Sequence, residues 1–163
     1  MMYLTVIKGT KPTAFSRHVK IIMIHQQRAL RFKCTGCGKC CTGGEDHYIA
    51  MSKMEAQRIQ KHLGISSNWF RRRYVTHLTR NTLTARMHKG QCVFLSDSGK
   101  CQIYKLRPVQ CRTYPYWPEL LENKRVWDNE ATHCEGINVG NVVPITDIKL
   151  KLAMQLKSEE DDV

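Results

Sequence analysis

Hydrophobic and polar positions follow two periods along this chain. Ser52-Lys53-Met54-Glu55 has the form of a capping box: the serine hydroxyl takes a free backbone N–H and Glu55 reaches back to the cap. It predicts a helix over 53–63, with Met54, Ile59 and Leu63 as the apolar stripe and Gly64 as a left-handed stop. Ser66 or Ser67 caps a second short helix, with Trp69, Phe70 and Tyr74 inward and Arg71, Arg72 and Arg73 on the outer arc. The two helices have the outline of a helix-turn-helix. No helix with short polar base-reading side chains follows them, so the triple arginine reads as a solvated face.

The second period is that of strands. A short strand is expected over 47–50, and 82–87 alternates with Leu83, Ala85 and Met87 on one side. Cys92-Val93-Phe94-Leu95 is followed by the turn Asp97-Ser98-Gly99-Lys100 and by Cys101-Gln102-Ile103-Tyr104. This predicts a hairpin with Cys92 and Cys101 at matching ends. Pro108 sits early in a short helix that includes Cys111, and 113–118 is expected to be extended because each proline restricts the residue before it. Thr146 is the expected cap of a last helix carrying Ile148, Leu152 and Leu156. Short helices mixed with hairpins give an α+β fold of one small domain, wrapped around a cysteine-ligated metal centre.

Composition changes the picture in two ways. The chain has 163 residues, 26 of them Lys or Arg against 14 Asp or Glu, for a net charge of +12. The length suits one domain, and no run of about 18 apolar residues is long enough to span a membrane. Seven basic residues and no acidic one fall in residues 1–33, whereas 158–163 holds four acids. The domain organisation is thus a basic arm over 1–30, a cysteine-cluster domain over 31–157 and an acidic tail over 158–163. The arm is either a solvated extension, a surface for an anionic partner or the product of a start placed upstream of Met23. A protein partner fits this charge. Nucleic acid is not favoured, because no aromatic platform or recognition motif accompanies it. The first 27 residues lack the apolar core of an export signal, so a cytoplasmic, reducing compartment is expected.

The second departure is eight cysteines. Cys34, Cys37, Cys40 and Cys41 fall within eight residues, with Gly36 and Gly38 allowing a tight loop. Four thiolates in one loop repel one another unless a cation or cluster neutralises them. The C-x2-C-x2-C run matches the first three ligands of a bacterial ferredoxin loop, but Gly44 and Glu45 stand where that pattern asks for Cys-Pro, and Cys41 follows Cys40 directly. Structural zinc usually takes two paired knuckles, and the remaining Cys92, Cys101, Cys111 and Cys134 are far apart in sequence. All eight are the candidate metal ligands. An iron–sulfur cluster, a 4Fe-4S form first, is favoured over zinc. Cys34, Cys37 and Cys40 with one remote cysteine would form one group, and Cys41 with the others a second.

The segment Phe32-Lys33-Cys34-Thr35-Gly36-Cys37-Gly38-Lys39-Cys40-Cys41 resembles the hallmark of the YkgJ family of CxxCxxCC cysteine-cluster proteins. The boxes 92–95, 99–104, 107–112 and 134–137 resemble it in the same order, so the likeness covers about 28–145. The resemblance implies a zinc- or iron-chelating domain, related to a region of flagellin lysine methylases, without an established reaction for a stand-alone member. Nothing else points to an enzyme, and no catalytic residue is assigned.

Further residues have two readings each. Arg107 and Arg112 flank Cys111, either as charge support for an anionic cluster or as ordinary salt-bridge and helix-end groups. Tyr114, Tyr116 and Trp117 form either a wall that keeps water from the centre or plain core packing. Among His47, His62, His77, His88 and His133, the last is the one next to a cysteine, and surface placement is the simpler expectation for all five. Glu45 and Asp46 have no nucleophile to serve. The functional expectation is a metal-binding protein with a redox or cluster-related role. The alternatives are a zinc-stabilised binding module with a basic face, or an accessory to a methylase-like enzyme.

Overall fold

The computed structural model describes residues 29–44 and 47–160. Most of the basic arm, Met23, the Glu45-Asp46 pair and the last three residues lie outside them. The first sheet has the strand order β2-β4-β3, from β2 (Ala50–Ser52), β3 (Val75–His77) and β4 (Thr82–Ala85), all antiparallel, with Met51 opposite Leu83 and Thr76 opposite Thr84. Helix α1 (Lys53–Leu63) packs on β2 and β4, and α2 (Ser67–Arg73) leads into β3. The capping box at Ser52 is present in both directions, and Gly64 ends α1 at φ 65°. Ser66 caps α2 by accepting from the Trp69 N–H.

The stripes differ from the expected ones in detail. Met54 is 74% exposed, because the capping box turns the neighbouring Glu55 inward and the buried face of α1 is Glu55, Ala56 and Ile59. Trp69 is also exposed. The inner position goes to Phe70, which stacks on Tyr74, itself stacked on Phe94. The strand expected over 82–87 ends at Ala85, and both its faces are covered. Thr82 and Thr84 are buried opposite Leu83 and Ala85, the Thr84 hydroxyl accepting from the Ile49 N–H at 3.2 Å. The strand expected over 47–50 begins only at Ala50.

The predicted hairpin has a different register. β5 (Met87–His88) pairs with β6 (Gln91–Cys92) around Lys89-Gly90, both at positive φ, which is the geometry of a two-residue turn. Cys92 therefore faces Met87. The next turn closes between Ser96 and Lys100, so Leu95 is the residue opposite Cys101. Pro108 precedes α3 (Val109–Thr113) as expected, but Thr113 is helical rather than extended.

Like β3, the remaining elements α4 (Lys124–Glu130), β7 (Ile137–Val142) and β1 (Arg31–Phe32) have no sequence expectation. Asn123 caps α4, and β7 pairs antiparallel with β1. The last helix, α5 (Ile145–Glu160), begins before Thr146 and continues into the acidic segment. Ile148, Leu152 and Gln155 are its buried residues, and it packs on α3. No helix among the described residues is long and apolar enough to cross a membrane.

Burial falls into two clusters. The first holds Ile49, Met51, Ala56, Ile59, Phe70, Val75, Ala85, Phe94 and Ile103, together with Cys41 and Cys92. The second holds Leu30, Tyr116, Leu121, Trp127, Ile137, Ile148 and Leu152, together with Cys134. Leu30, at the end of the expected arm, belongs to this second core.

Candidate metal centre

The loop over 34–41 is shaped by backbone that a side chain would obstruct. Gly36 and Gly38 sit at φ 69° and 76°, in the left-handed region. A Cβ on Gly38 would lie 2.6 Å from the Gly99 carbonyl oxygen, so the loop rests directly on the Ser96–Lys100 turn. Past Gly38 the chain makes a short 3-10 turn over Lys39–Cys41, closed by the Cys41 N–H donating to the Gly38 carbonyl at 2.9 Å. The Lys100 ammonium donates to the Gly36 carbonyl at 3.4 Å. On the other side, Lys39 pairs with Glu135 at 3.3 Å, and the Lys33 N–H donates to the Gly136 carbonyl at 3.0 Å. These contacts tie the loop to the segment that carries Cys134.

All eight cysteines line one cavity of about 500 Å³. Cys34, Cys37, Cys40 and Cys41 come from the loop, Cys92 from the end of β6, Cys101 from the bridge to Leu95 after the turn, Cys111 from α3 and Cys134 from the residues after α4. Distance along the chain thus concealed a single gathering of thiols. The cavity lies where the two cores meet, with Ile49, Phe94 and Ile103 on one side and Phe32 and Tyr116 on the other. Cys34 is exposed, Cys41, Cys92 and Cys134 are buried, and the remaining four are half-buried.

Among the described residues, none that lines the cavity is a histidine or a carboxylate. His62, His77, His88 and His133 are exposed, and His47 lies beside the loop with Nε2 buried and unpartnered. Tyr114 and Tyr116 do line the cavity, whereas Trp117 does not and donates from Nε1 to the Gln110 carbonyl at 3.0 Å. Four cations line the cavity with the thiols: Lys100, Arg107, Arg112 and Lys151. The thiols surround the space rather than converge on a point. Among the described residues, no three His, Cys, Asp or Glu side chains are close enough together to hold one metal ion.

The thiols feel one another strongly. Cys40 is lowered to about 7, first because the Cys41 thiol donates to it and then because Arg107 favours its charge. Cys41 is pushed up for the reciprocal reason, with burial and the neighbouring Cys92 and Cys101 adding to the effect. Burial raises Cys92 to about 11 and also raises Cys101, Cys111 and Cys134. Cys40, then Cys92 and Cys101, act on Cys111, whereas Cys37 and Cys40 act on Cys134. At the mouth, the Tyr104 hydroxyl is raised first by its hydrogen bond with Cys34, and the Arg107 guanidinium lies 3.8 Å from the centre of the Tyr104 ring.

The donor chemistry fits a soft metal or cluster. Thiolate ligands select zinc, cuprous copper and iron–sulfur centres over hard cations. The Arg112 Nε atom, on a residue that lines the cavity, is buried without any hydrogen-bond partner. The Arg107 guanidinium acts on Cys40, Cys101 and Cys111, and a cation among these thiols suits an anionic occupant.

Comparison with protein families matches residues 33–135 to the family described as "CxxCxxCC: Putative zinc- or iron-chelating domain". Among curated proteins, an uncharacterized protein of Methanocaldococcus jannaschii is 27% identical over 116 residues, which are 69% of this chain and 61% of that protein. The chain thus spans about three-fifths of the length of this relative. No solved structure matches the chain.

Proposed function

Because the chain belongs to the CxxCxxCC family of zinc- or iron-chelating domains, we propose that its eight thiols are the ligands of an iron–sulfur centre, a 4Fe-4S form first, serving a redox or cluster-related role. One observation carries this reading: among the described residues, all eight cysteines, and no histidine or carboxylate, line a single cavity. A shell of sulfur spread around an extended space suits a multi-atom cluster better than one tetrahedral ion.

The neighbourhoods of the thiols support two groups. Cys134 responds to Cys37 and Cys40, so it is the remote partner of the Cys34, Cys37 and Cys40 set. Cys41, Cys92, Cys101 and Cys111 are the second set; Cys40 also acts on each of these four, so it stands where the two sets meet. When bound, such a centre supplies one-electron chemistry or transferable iron and sulfide. The chain's own residues hold it, keep water away with Phe94, Ile103, Tyr114 and Tyr116, and offset its negative charge with lysine and arginine.

Elemental analysis of anaerobically purified protein, with acid-labile sulfide counted, tests the reading. Iron and sulfide in equal amounts, with brown colour, are the expected result. Colourless protein holding zinc, whose d shell is full, would replace the cluster by a structural ion. Reduced protein that folds fully without any transition metal would overturn both.

A further inference from the structure

Of the eight cysteines, one stands at the opening of the cavity. Cys34 is exposed, whereas the other seven are buried or half-buried. It begins the thiol loop, directly after Lys33, whose N–H is bonded to the Gly136 carbonyl, and its neighbour Thr35 is exposed with it. The backbone thus fixes the place from which Cys34 reaches the cavity wall, while the residue itself stays open to solvent. Exchange at a thiolate depends on access, so Cys34 is the thiol that a donor from outside meets first.

Beside Cys34 stands Tyr104, also on the cavity wall, from the short 3-10 turn Tyr104–Leu106 between Cys101 and α3. The Leu106 N–H closes this turn on the Ile103 carbonyl at 2.8 Å, and Ile103, 3% exposed, anchors it in the first core. Tyr104 itself stays 47% exposed, yet each of its parts is engaged. Its hydroxyl donates to the Cys34 sulfur. The Arg107 guanidinium lies 3.8 Å from the centre of its ring, and its carbonyl accepts from Arg107 Nε at 3.0 Å. Two contacts with one arginine set the direction of the ring. The hydroxyl then ties the segment that carries Cys101 and Cys111 to the first thiol of the loop, across the mouth. Arg107 and the exposed Lys100, both lining the cavity, bring positive charge to this opening.

We propose that Cys34 is the exchangeable ligand of the bound centre, and that Tyr104, held by Arg107, is the positioning residue that latches it. The proposal rests on the metal-centre reading and names the side from which that centre is loaded and unloaded. The exchange is a ligand substitution without electron transfer. A thiolate from outside forms a bond to the metal, the Cys34–metal bond breaks, and Cys34 keeps its electron pair and turns into water as a thiolate. Only the seated sulfur meets the Tyr104 hydroxyl, so the hydrogen bond is lost in that step and slows it. The charge of Lys100 and Arg107 draws the negative incoming thiolate to the mouth.

The test uses the full chain, purified anaerobically with its native metal, in wild-type form and as Tyr104→Phe, Arg107→Lys, Cys34→Ala and the Tyr104→Phe/Cys34→Ala pair. Circular dichroism records the fold. The probe is dimercaptosuccinate, an anionic dithiol, and the first readout is the rate at which it strips the metal. The second is alkylation of the metal-loaded protein by iodoacetamide, located by peptide mass spectrometry. Loss of a group that supports a metal ligand typically weakens metal binding roughly 10–100-fold. Tyr104→Phe keeps the ring and lacks the hydroxyl. It is expected to lose metal about tenfold faster, with alkylation at Cys34 rising in step and ahead of every other cysteine. Arg107→Lys keeps the charge without the fork that holds Tyr104, and its rate should lie between those of Tyr104→Phe and wild type. In the Cys34→Ala background, Tyr104→Phe should have no further effect, because both changes act on one hydrogen bond. A change in packing alone would speed metal loss in both backgrounds. Wild-type stripping of folded Tyr104→Phe overturns the proposal, as does the same acceleration without Cys34, or alkylation that begins at another cysteine. Should Cys34→Ala purify without metal, the alkylation of Tyr104→Phe decides alone. Wild-type protein without metal overturns the metal-centre reading, an outcome distinct from metal-loaded Tyr104→Phe behaving as wild type.

Discussion

At the scale of single residues, the thiols divide by environment. Cys40 receives the Cys41 hydrogen bond and the field of Arg107, so its thiolate forms near pH 7, below the ordinary thiol value of about 8.5. Cys92 is held protonated to about 11 by burial. A lowered value means that the reactive form appears earlier as pH rises. In reduced, metal-stripped protein, iodoacetamide should therefore modify Cys40 with a midpoint near pH 7 and leave Cys92 untouched there, as followed by peptide mass spectrometry. A Cys40 midpoint at or above the ordinary value would contradict the hydrogen-bonded pair. The two proposed groups predict a second outcome. Cys134→Ser should remove the metal of one group and Cys41→Ser that of the other, each leaving part of the wild-type content. If Cys41→Ser lost no metal while Cys40→Ser lost all of it, the division would fall. The sequence made the thiol loop legible through its spacing, but it held no signal for the pairing. Cys134 lies 94 positions beyond Cys40, and the β1–β7 pairing, the Lys33–Gly136 hydrogen bond and the Lys39–Glu135 contact bring their segments together.

At the scale of elements, local signals were legible and contact-dependent ones were not. The Ser52 box, the Gly64 stop and the start of α3 at Pro108 are written within a few residues of where they act. The Met54 and Trp69 stripes were misread because both helices are short, and the choice of buried face belongs to Glu55 and to the Phe70–Tyr74–Phe94 stack rather than to period. Asn123 three residues before Val126 was a usable cap signal for α4 that went unread. The hairpin register slipped because Lys89-Gly90 forms a tight turn of its own. Two glycines separate local from tertiary demands experimentally. Gly64 is left-handed, but a Cβ there would meet nothing within 4 Å, so Gly64→Ala should cost about 1 kcal/mol of stability. Gly38 is left-handed and would also drive a Cβ into the Gly99 carbonyl and the Leu95 side chain. Gly38→Ala should therefore cost clearly more, and it should lower metal content as the loop leaves its seat on the turn. Thermal denaturation and metal analysis of the two variants check the contrast. Equal losses of stability with full metal content in both would show that the loop does not depend on that seat.

For the whole molecule, the two hydrophobic clusters meet around the thiols. Cys41 and Cys92 are buried with the first core and Cys134 with the second, so whatever the sulfurs hold lies between two bodies of packing. A ligand that binds the folded state and not the unfolded one adds its binding free energy to stability. Stripping the metal should therefore lower the melting temperature and raise amide exchange in both halves, in α1 and β4 on one side and in α4 and β7 on the other. Cys134 gives the means to separate the halves, since it is the one cysteine among the buried members of the second core. In Cys134→Ala, metal held by the remaining thiols should still protect α1 and β4, while exchange in α4 and β7 should no longer depend on whether metal is present. The aromatic packing of Trp127 on Tyr116, with ring centres 5.9 Å apart, would then be left to hold the second half by itself. Hydrogen exchange read segment by segment distinguishes this from a centre that stabilises only its own loop. In that case both halves would exchange alike with and without metal, and the thiols would line the junction of the two cores without joining them.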